Sequence, residues 1–401
     1  ENIMKWSSKI SDATDFETAI RECLSGIEAE LAGQPHLLIA FISPDFQALY
    51  QDLPGLVSEY FPEITLIGCS GNGVIGEAIE VENRPGIALT AAIMPDVSIT
   101  PFHITGTELP NGDQPPEKWE SLLKVKRDSE PKFIILADPF TVEIQSLIKG
   151  MDYAFPDSTI IGGIASGGSQ PGSNAIYLNG TTNQGVAGIA LTGDVEIDTI
   201  VAQGCKPIGS LMRITGCERN ILTGLDDNNP FTVLSEIYNQ FSEPDQQLFQ
   251  NSLFLGTVTD PFIDAPTTKD FLIRNIVGAN PDEGKLAIGE MLREGQLVQF
   301  HLRDSNTSSE NLKIMLENYN SDQSEQSQFG ALLFSCLGRG AYLYGEANHD
   351  TNMFKEVVGE IPLTGFFCNG EVGPVGESTY VHGYTSSFGI IKPKKSLSDK
   401  T

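Results

Sequence analysis

No stretch of about 18 consecutive apolar residues runs through the 401-residue chain, so no segment reads as a transmembrane helix and membrane insertion is not expected. Positive charge is scarce. The 25 Lys and Arg face 53 Asp and Glu, a net charge of −28, which argues against nucleic acid and anionic membrane surfaces as partners, since both call for a basic patch. Charged residues make up 19% of the chain and hydrophobic ones 40%, the balance of a folded globular protein and not of a disordered one. The six cysteines contain no CxxC pair and read as reduced thiols. Glu1 to Lys9 has no apolar core behind a basic start, so no signal peptide is visible, and the expected compartment is the cytoplasm or a plastid stroma. The five histidines are scattered, and no HExxH, P-loop, EF-hand or GxSxG spacing occurs, so no metal site is expected.

Glycine, in contrast, is abundant, with 40 residues that fall in clusters. Two of the clusters repeat. Phe61-Pro-Glu-Ile-Thr-Leu-Ile-Gly68 matches Phe155-Pro-Asp-Ser-Thr-Ile-Ile-Gly162, and the apolar runs around them match too. His36–Ser43 and Lys132–Ala137 precede them, and Gly86-Ile-Ala-Leu-Thr90 and Gly188-Ile-Ala-Leu-Thr192 follow. This predicts an internal duplication with copies at 36–106 and 132–204. A fainter echo runs from Gly330–Ser335 to Ile361–Cys368, and Gly284–Ile288 with Gln296–Phe300 reads as a hairpin. Helices are expected at Phe16–Leu31, Glu117–Lys126, Thr141–Asp152, Thr232–Gln240, Asn311–Tyr319 and Thr351–Val358, with Thr307 and Glu310 as a capping box for the fifth. Ser321–Gln328 reads as a polar linker and 392–401 as a disordered tail. The expected fold is α/β of mixed α+β type. Hairpin-rich mixed sheets carry helices outside, in two related domains at 1–210 and 211–391.

Gly71-Asn-Gly-Val-Ile-Gly76 matches GxGxxG, but Glu77 to Glu82 alternates like a strand where a dinucleotide fold needs a helix. Its glycines read as a turn that lets a ligand or another strand approach. Polar residues gather at three further strand ends. These are Phe300–Asp304 with Arg303, then Ser335–Gly340 with Arg339, and Cys368–Gly376 with Asn369, Gly370 and Glu371, followed by His382–Ser386 with Thr385. An Arg between glycines can offer its fork to a carboxylate or phosphate, while Asn and Glu supply an amide and an acceptor. Arg303, Asp304, Cys336, Arg339, Gly340, Cys368, Asn369, Gly370, Glu371, His382 and Thr385 are therefore the candidate ligand-binding residues, with none assigned to catalysis. Two other readings fit the same residues. Arg303–Asp304 can be an internal ion pair with the cysteines as small buried fillers. Alternatively Cys336 or Cys368 can be a nucleophile, with His382 or His301 as base and Glu371 or Asp304 orienting it.

At these motifs the chain resembles the FIST family, an N-terminal FIST module followed by a C-terminal one. The resemblance rests on Leu66–Gly71, Gly204-Cys-Lys-Pro-Ile-Gly209, Phe300–Asp304, Cys336–Gly340, Phe367–Gly376 and His382–Ser386, and it extends from about Leu37 to Ile390. It implies a sensory domain that binds a small polar metabolite, amino-acid-like or another carboxylate. Some members resemble haem-based nitric oxide sensors, for which His301, His382 or a Cys would be the axial ligand. Eukaryotic relatives are joined to an F-box and act as interaction adaptors. No stretch before Phe16 or after Ile391 has room for an F-box or an output module, so the expectation is a stand-alone member signalling through a separate partner, with no required cofactor.

Overall fold

The computed structural model describes residues 3–319 and 323–394. The chain divides into a larger unit, formed by the residues up to Val201 together with those from Met315 on, and a smaller unit spanning Ala202–Ile314.

The larger unit is built three times from one pattern. After β1 (Lys5–Ser11), the first copy runs β2 (Leu37–Ile42), β3 (Thr65–Ser70), the hairpin β4 (Val74–Gly76) and β5 (Ile79–Val81), then β6 (Ile87–Ile93). After β7 (Val97–Ile104), the second runs β8 (Lys132–Ala137), β9 (Ile160–Ile164), the hairpin β10 (Ile176–Leu178) and β11 (Thr181–Thr182), then β12 (Val186–Gly193) and β13 (Glu196–Ala202). The smaller unit follows with β14 (Lys206–Glu218), β15 (Ile221–Leu225), β16 (Leu253–Val258), β17 (Phe271–Asn280), β18 (Lys285–Ile288) and β19 (Leu297–Leu302). The third copy is β20 (Gly330–Cys336), β21 (Leu363–Cys368), the hairpin β22 (Glu371–Val375) and β23 (Ser378–His382), and β24 (Ser386–Lys392). The duplication legible in the sequence is thus a triplication, its third copy split off by the smaller unit.

The copies are interleaved. Their sheets run β1-β6-β2-β3-β10-β11, β7-β12-β8-β9-β22-β23 and β13-β24-β20-β21-β4-β5. In each, two parallel strands carry an antiparallel third, and the far edge is closed by the hairpin of another copy. The alternation of side chains explains why these strands read as unbroken apolar runs. Leu37, Ile39 and Phe41 enter a core shared with Ile134, Leu136, Leu332 and Phe334, while Leu38, Ala40 and Ile42 face a layer of helices. The Phe16–Leu31 helix, capped by Asp15 accepting from Thr18 N at 2.9 Å, packs Ile20, Leu24 and Ile27 on that outer face. The helices at Pro116–Leu123 and Ile144–Ala154 do the same for the second copy.

The glycines of the 71–76 motif serve close approach. Gly73 has φ of 124°, and a Cβ there would meet the Phe367 ring at 2.7 Å. The smaller unit is a closed barrel, β14-β15-β18-β17-β16-β19. Closure overturns the expected 284–300 hairpin, because β18 pairs with β15 and β17 whereas β19 pairs with β14 and β16. The expected helix at 311–319 begins earlier, at Ser305. Its cap is Asp304, which accepts from Thr307 N at 2.7 Å and donates its own N–H to Thr307 Oγ1 at 2.8 Å. Part of the linker expected at 321–328 and residues 395–401 of the expected tail lie outside the described residues. Lys392 closes β24 and pairs with Asp198 at 2.6 Å, so the chain is still in a strand where the tail was expected to start.

Candidate functional site

Each parallel strand pair of the larger unit is brought together by a glycine at the same register. Gly68 lies opposite Ala40, Gly162 opposite Ile135 and Gly365 opposite Leu333. Four residues further along stand Asn72, Ser166 and Asn369, and there the three copies meet. Ser166 N donates to Ser70 O at 3.1 Å, Asn369 N to Ile164 O at 3.0 Å, and Phe367 N to Gly73 O at 3.1 Å. The Ser166 hydroxyl accepts from Asn72 N at 2.8 Å and donates to Phe367 O. Asn369 Nδ2 donates to Ala165 O at 3.1 Å. Ser166 is buried, while Asn72 and Asn369 are exposed on either side of it. The result is a polar floor in which strand-end backbone holds the Ser166 hydroxyl and the Asn369 carboxamide, with the exposed Asn72 side chain beside them.

Of the residues singled out in the third copy, Asn369 joins this floor, and several of the others are hydrogen-bonded to one another. Cys336 N donates to Thr385 O at 3.0 Å, Leu337 N to Cys368 O at 3.2 Å, and Thr385 N to Glu371 Oε1 at 2.9 Å. His382 stands opposite Glu371 on the hairpin and its Nε2 meets Gly373 O at 2.9 Å. Gly370 lies against Ile164 and Val381, which leave no space for a Cβ. Cys368 is fully buried, and burial pushes its thiol well above the usual range, the opposite of what a nucleophile needs. Cys336 is half-buried, with Gly338 N donating to its sulfur at 3.3 Å.

Arg339 differs from the expectation of a fork presented to ligand. It is 0% exposed, and the carboxylate it holds is the protein's own. Its Nε donates to Asp350 Oδ2 at 2.9 Å, Nη2 to Tyr344 Oη at 2.7 Å, and Nη1 to Tyr384 O at 3.2 Å. Ser386 Oγ and His349 Nδ1 complete the shell of Asp350 at 2.8 Å each. Burial alone would raise the Asp350 pKa, but the Arg339 charge and these hydrogen bonds outweigh it and hold the carboxyl well below the usual range. Gly340, with φ of 69°, leaves room for the Glu82 carboxylate, which accepts from Ala341 N at 3.0 Å. Arg303 and Asp304 belong to the smaller unit, where Asp304 is a helix cap. His301, also there, is buried edge-on to Phe271 at 4.9 Å, and burial lowers its pKa to about 4, so the ring is neutral.

Beside Asp350 lies Glu80, whose Oε2 accepts from Thr351 Oγ1 at 3.1 Å. Burial, then repulsion from Asp350 and Glu82, push its pKa up to about 8. The folded protein therefore holds a proton that the unfolded chain releases near the ordinary carboxyl value. This contribution to stability is full below that value and is lost as pH rises through about 8. The urea midpoint is expected to fall between pH 5 and pH 8 and to fall less in Glu80→Gln. Equal slopes in the two proteins would remove Glu80 as the source.

Asn72, Ser166 and Asp350 were missed by the sequence reading. The first two carry a signal, since a count of four from each repeated glycine lands on Asn72, Ser166 and Asn369. The third does not, because nothing in the spacing of Arg339 and Asp350 announces their pairing.

Family models cover almost the whole chain. The FIST N domain matches residues 36–228 and the FIST C domain residues 230–374. The chain belongs to the FIST family. FIST domains are generally sensory, ligand-binding domains. An uncharacterized protein of Mycobacterium tuberculosis H37Rv is 31% identical over 384 residues, 95% of this chain and 98% of that one. One of Mycobacterium bovis is 29% identical over 382 residues, 94% and 96% of the two chains. An F-box/LRR-repeat protein of Arabidopsis thaliana is 22% identical over 312 residues, 65% of this chain and 58% of that one. A solved cyanuric acid hydrolase from A. caulinodans aligns over 98% of this chain and 100% of its own, with a TM-score of 0.37 and 8% identity. No helix among the described residues is long and apolar enough to cross a membrane.

Proposed function

We propose that this FIST protein is a sensory protein that binds a small polar metabolite, amino-acid-like or another carboxylate, on the floor formed by Asn72, Ser166 and Asn369, and that it acts through a separate signalling partner. The observation that carries this reading is the convergence of three strand ends on one polar patch, with two exposed carboxamides over a buried hydroxyl. Carboxamides offer both a donor for a carboxylate and an acceptor for an ammonium or hydroxyl. Since Arg339 is paired with Asp350, recognition of an anionic group falls to amide donors. Binding without catalysis is favoured by the high pKa of Cys368 and by the bond from His382 Nε2 to Gly373 O. A haem reading has less to rest on, because His382 is buried, and Phe271 and Gly256 crowd the His301 ring. The six free cysteines favour a reducing compartment such as the cytoplasm or a stroma.

The test is a thermal-shift panel of amino acids and small carboxylates on the purified protein. A ligand at about 100 times its dissociation constant adds about 2.7 kcal/mol, a rise of several degrees. The shift is expected to disappear in Asn72→Ala and Asn369→Ala, whose unliganded melting temperatures stay near that of the parent. A flat panel would transfer the weight to an interaction adaptor, as in the F-box relative.

A further inference from the structure

A second place in the larger unit is built to take a ligand of different chemistry. The segment Pro44–Asp52 and the β10–β11 hairpin with its preceding loop border an open cleft of about 470 Å³, within the usual range for small-molecule sites. Its walls are fixed. Tyr177 Oη, fully buried, donates to Tyr50 O at 2.8 Å, and the Pro44 ring lies 3.1 Å from where a Cβ on Gly167 would stand.

The side chains that offer polar atoms to this cleft are carboxamides and hydroxyls, namely Gln47, Gln51, Asn183, Thr181, Thr182 and Asn174. No Asp, Glu, Lys or Arg is among its lining residues. Asn174 is 2% exposed. Its Oδ1 accepts from Gly168 N at 2.9 Å and from Ser70 Oγ at 3.2 Å, which fixes the orientation of the amide, because a reversed group would set two donors against each other at Gly168. Nδ2 is left buried without a hydrogen-bond partner, an arrangement that costs stability unless something answers it.

We infer that this cleft binds an uncharged, hydroxyl-rich ligand such as a mono- or disaccharide, with Asn174 Nδ2 donating to one of its oxygens. Hydroxyls both donate and accept, and so do the carboxamides and threonines that face them, whereas an anion calls for donors of one kind and a cation for acceptors. A ligand oxygen at the inner wall gives Nδ2 the acceptor it lacks. Asn72, Ser166 and Asn369 are not among the lining residues of the cleft, although Asn174 is joined through Ser70 to the strand end that Ser166 meets.

The experiment is calorimetric titration of the full chain with D-glucose, maltose and myo-inositol, with glutamate and inorganic phosphate as charged comparisons. At least one neutral probe is expected to bind saturably. Asn174→Asp keeps an acceptor for Gly168 and Ser70 but removes the Nδ2 donor, and is expected to weaken that binding by about tenfold or more. The pair Gln51→Ala with Thr182→Val, at an exposed and a half-buried position, is expected to weaken it similarly, and decides the matter if Asn174→Asp fails to fold. Asn72→Ala is expected to leave it unchanged. The proposal is overturned if no neutral probe binds below about 20 mM, if only charged probes bind, or if the cleft variants bind as the parent does.

Discussion

Replacing Arg339 with alanine is expected to cost the fold about 3–5 kcal/mol, because it leaves the Asp350 carboxylate buried and uncompensated. Both side chains are 0% exposed, and the pair is bidentate, with Nε to Oδ2 at 2.9 Å and Nη2 to Oδ1 at 3.3 Å. The loss extends beyond the pair. Arg339 also holds the Tyr384 carbonyl and the Tyr344 hydroxyl, and Tyr344 stacks on His349 at 3.5 Å. Removing Asp350 in the same protein is expected to restore part of the stability, since the orphaned charge goes with it. A double-mutant cycle by urea denaturation measures this. If Arg339→Ala unfolds at the parent's midpoint and loses only affinity for a small carboxylate, Arg339 is a ligand fork after all.

The second large effect belongs to Gly365. A Cβ at this position would stand inside the van der Waals surface of the Leu333 carbonyl oxygen on the neighbouring parallel strand. The oxygen is backbone and cannot turn aside, so β20 and β21 would have to separate. Gly365→Ala is therefore expected to destabilise by about 3 kcal/mol, at the upper end of overpacking effects. Gly68 and Gly162 face the Ala40 and Ile135 carbonyl oxygens in the same way, and alanine at either is expected to behave alike. Gly55 provides the contrast. It lies in the Leu53–Tyr60 helix with nothing within 4 Å of its Cβ position, so Gly55→Ala is expected to be neutral or to stabilise by about 0.5–1 kcal/mol. A Gly365→Ala midpoint equal to the parent's would mean that the strand spacing is softer than this packing implies.

These glycines mark how much was legible beforehand. The match of Phe61–Gly68 to Phe155–Gly162 revealed two copies, and the third was visible only as an echo around Gly365. The runs Leu37–Ile42, Lys132–Ala137 and Gly330–Cys336 were readable as strands because both faces of each are buried, which leaves little but apolar residues. Of the expected helices only the one at 311–319 was given a cap. The cap at Asp304 was missed because Thr307 also fits the pattern of a first cap residue, and only the hydrogen bonds decide between them.

The sequence by itself determined the class of fold, the repeated strand-glycine unit and the family, because each of these is written in local spacing of residue types. Tertiary structure alone decided the exchange of hairpins among copies, the closure of the barrel from β14 to β19, and the meeting of Asn72, Ser166 and Asn369. It also decided what Arg339 does. An arginine between two glycines has the same sequence whether its fork faces a ligand or a buried aspartate. The choice depends on which side chain long-range packing brings within 3 Å, and here that side chain is Asp350.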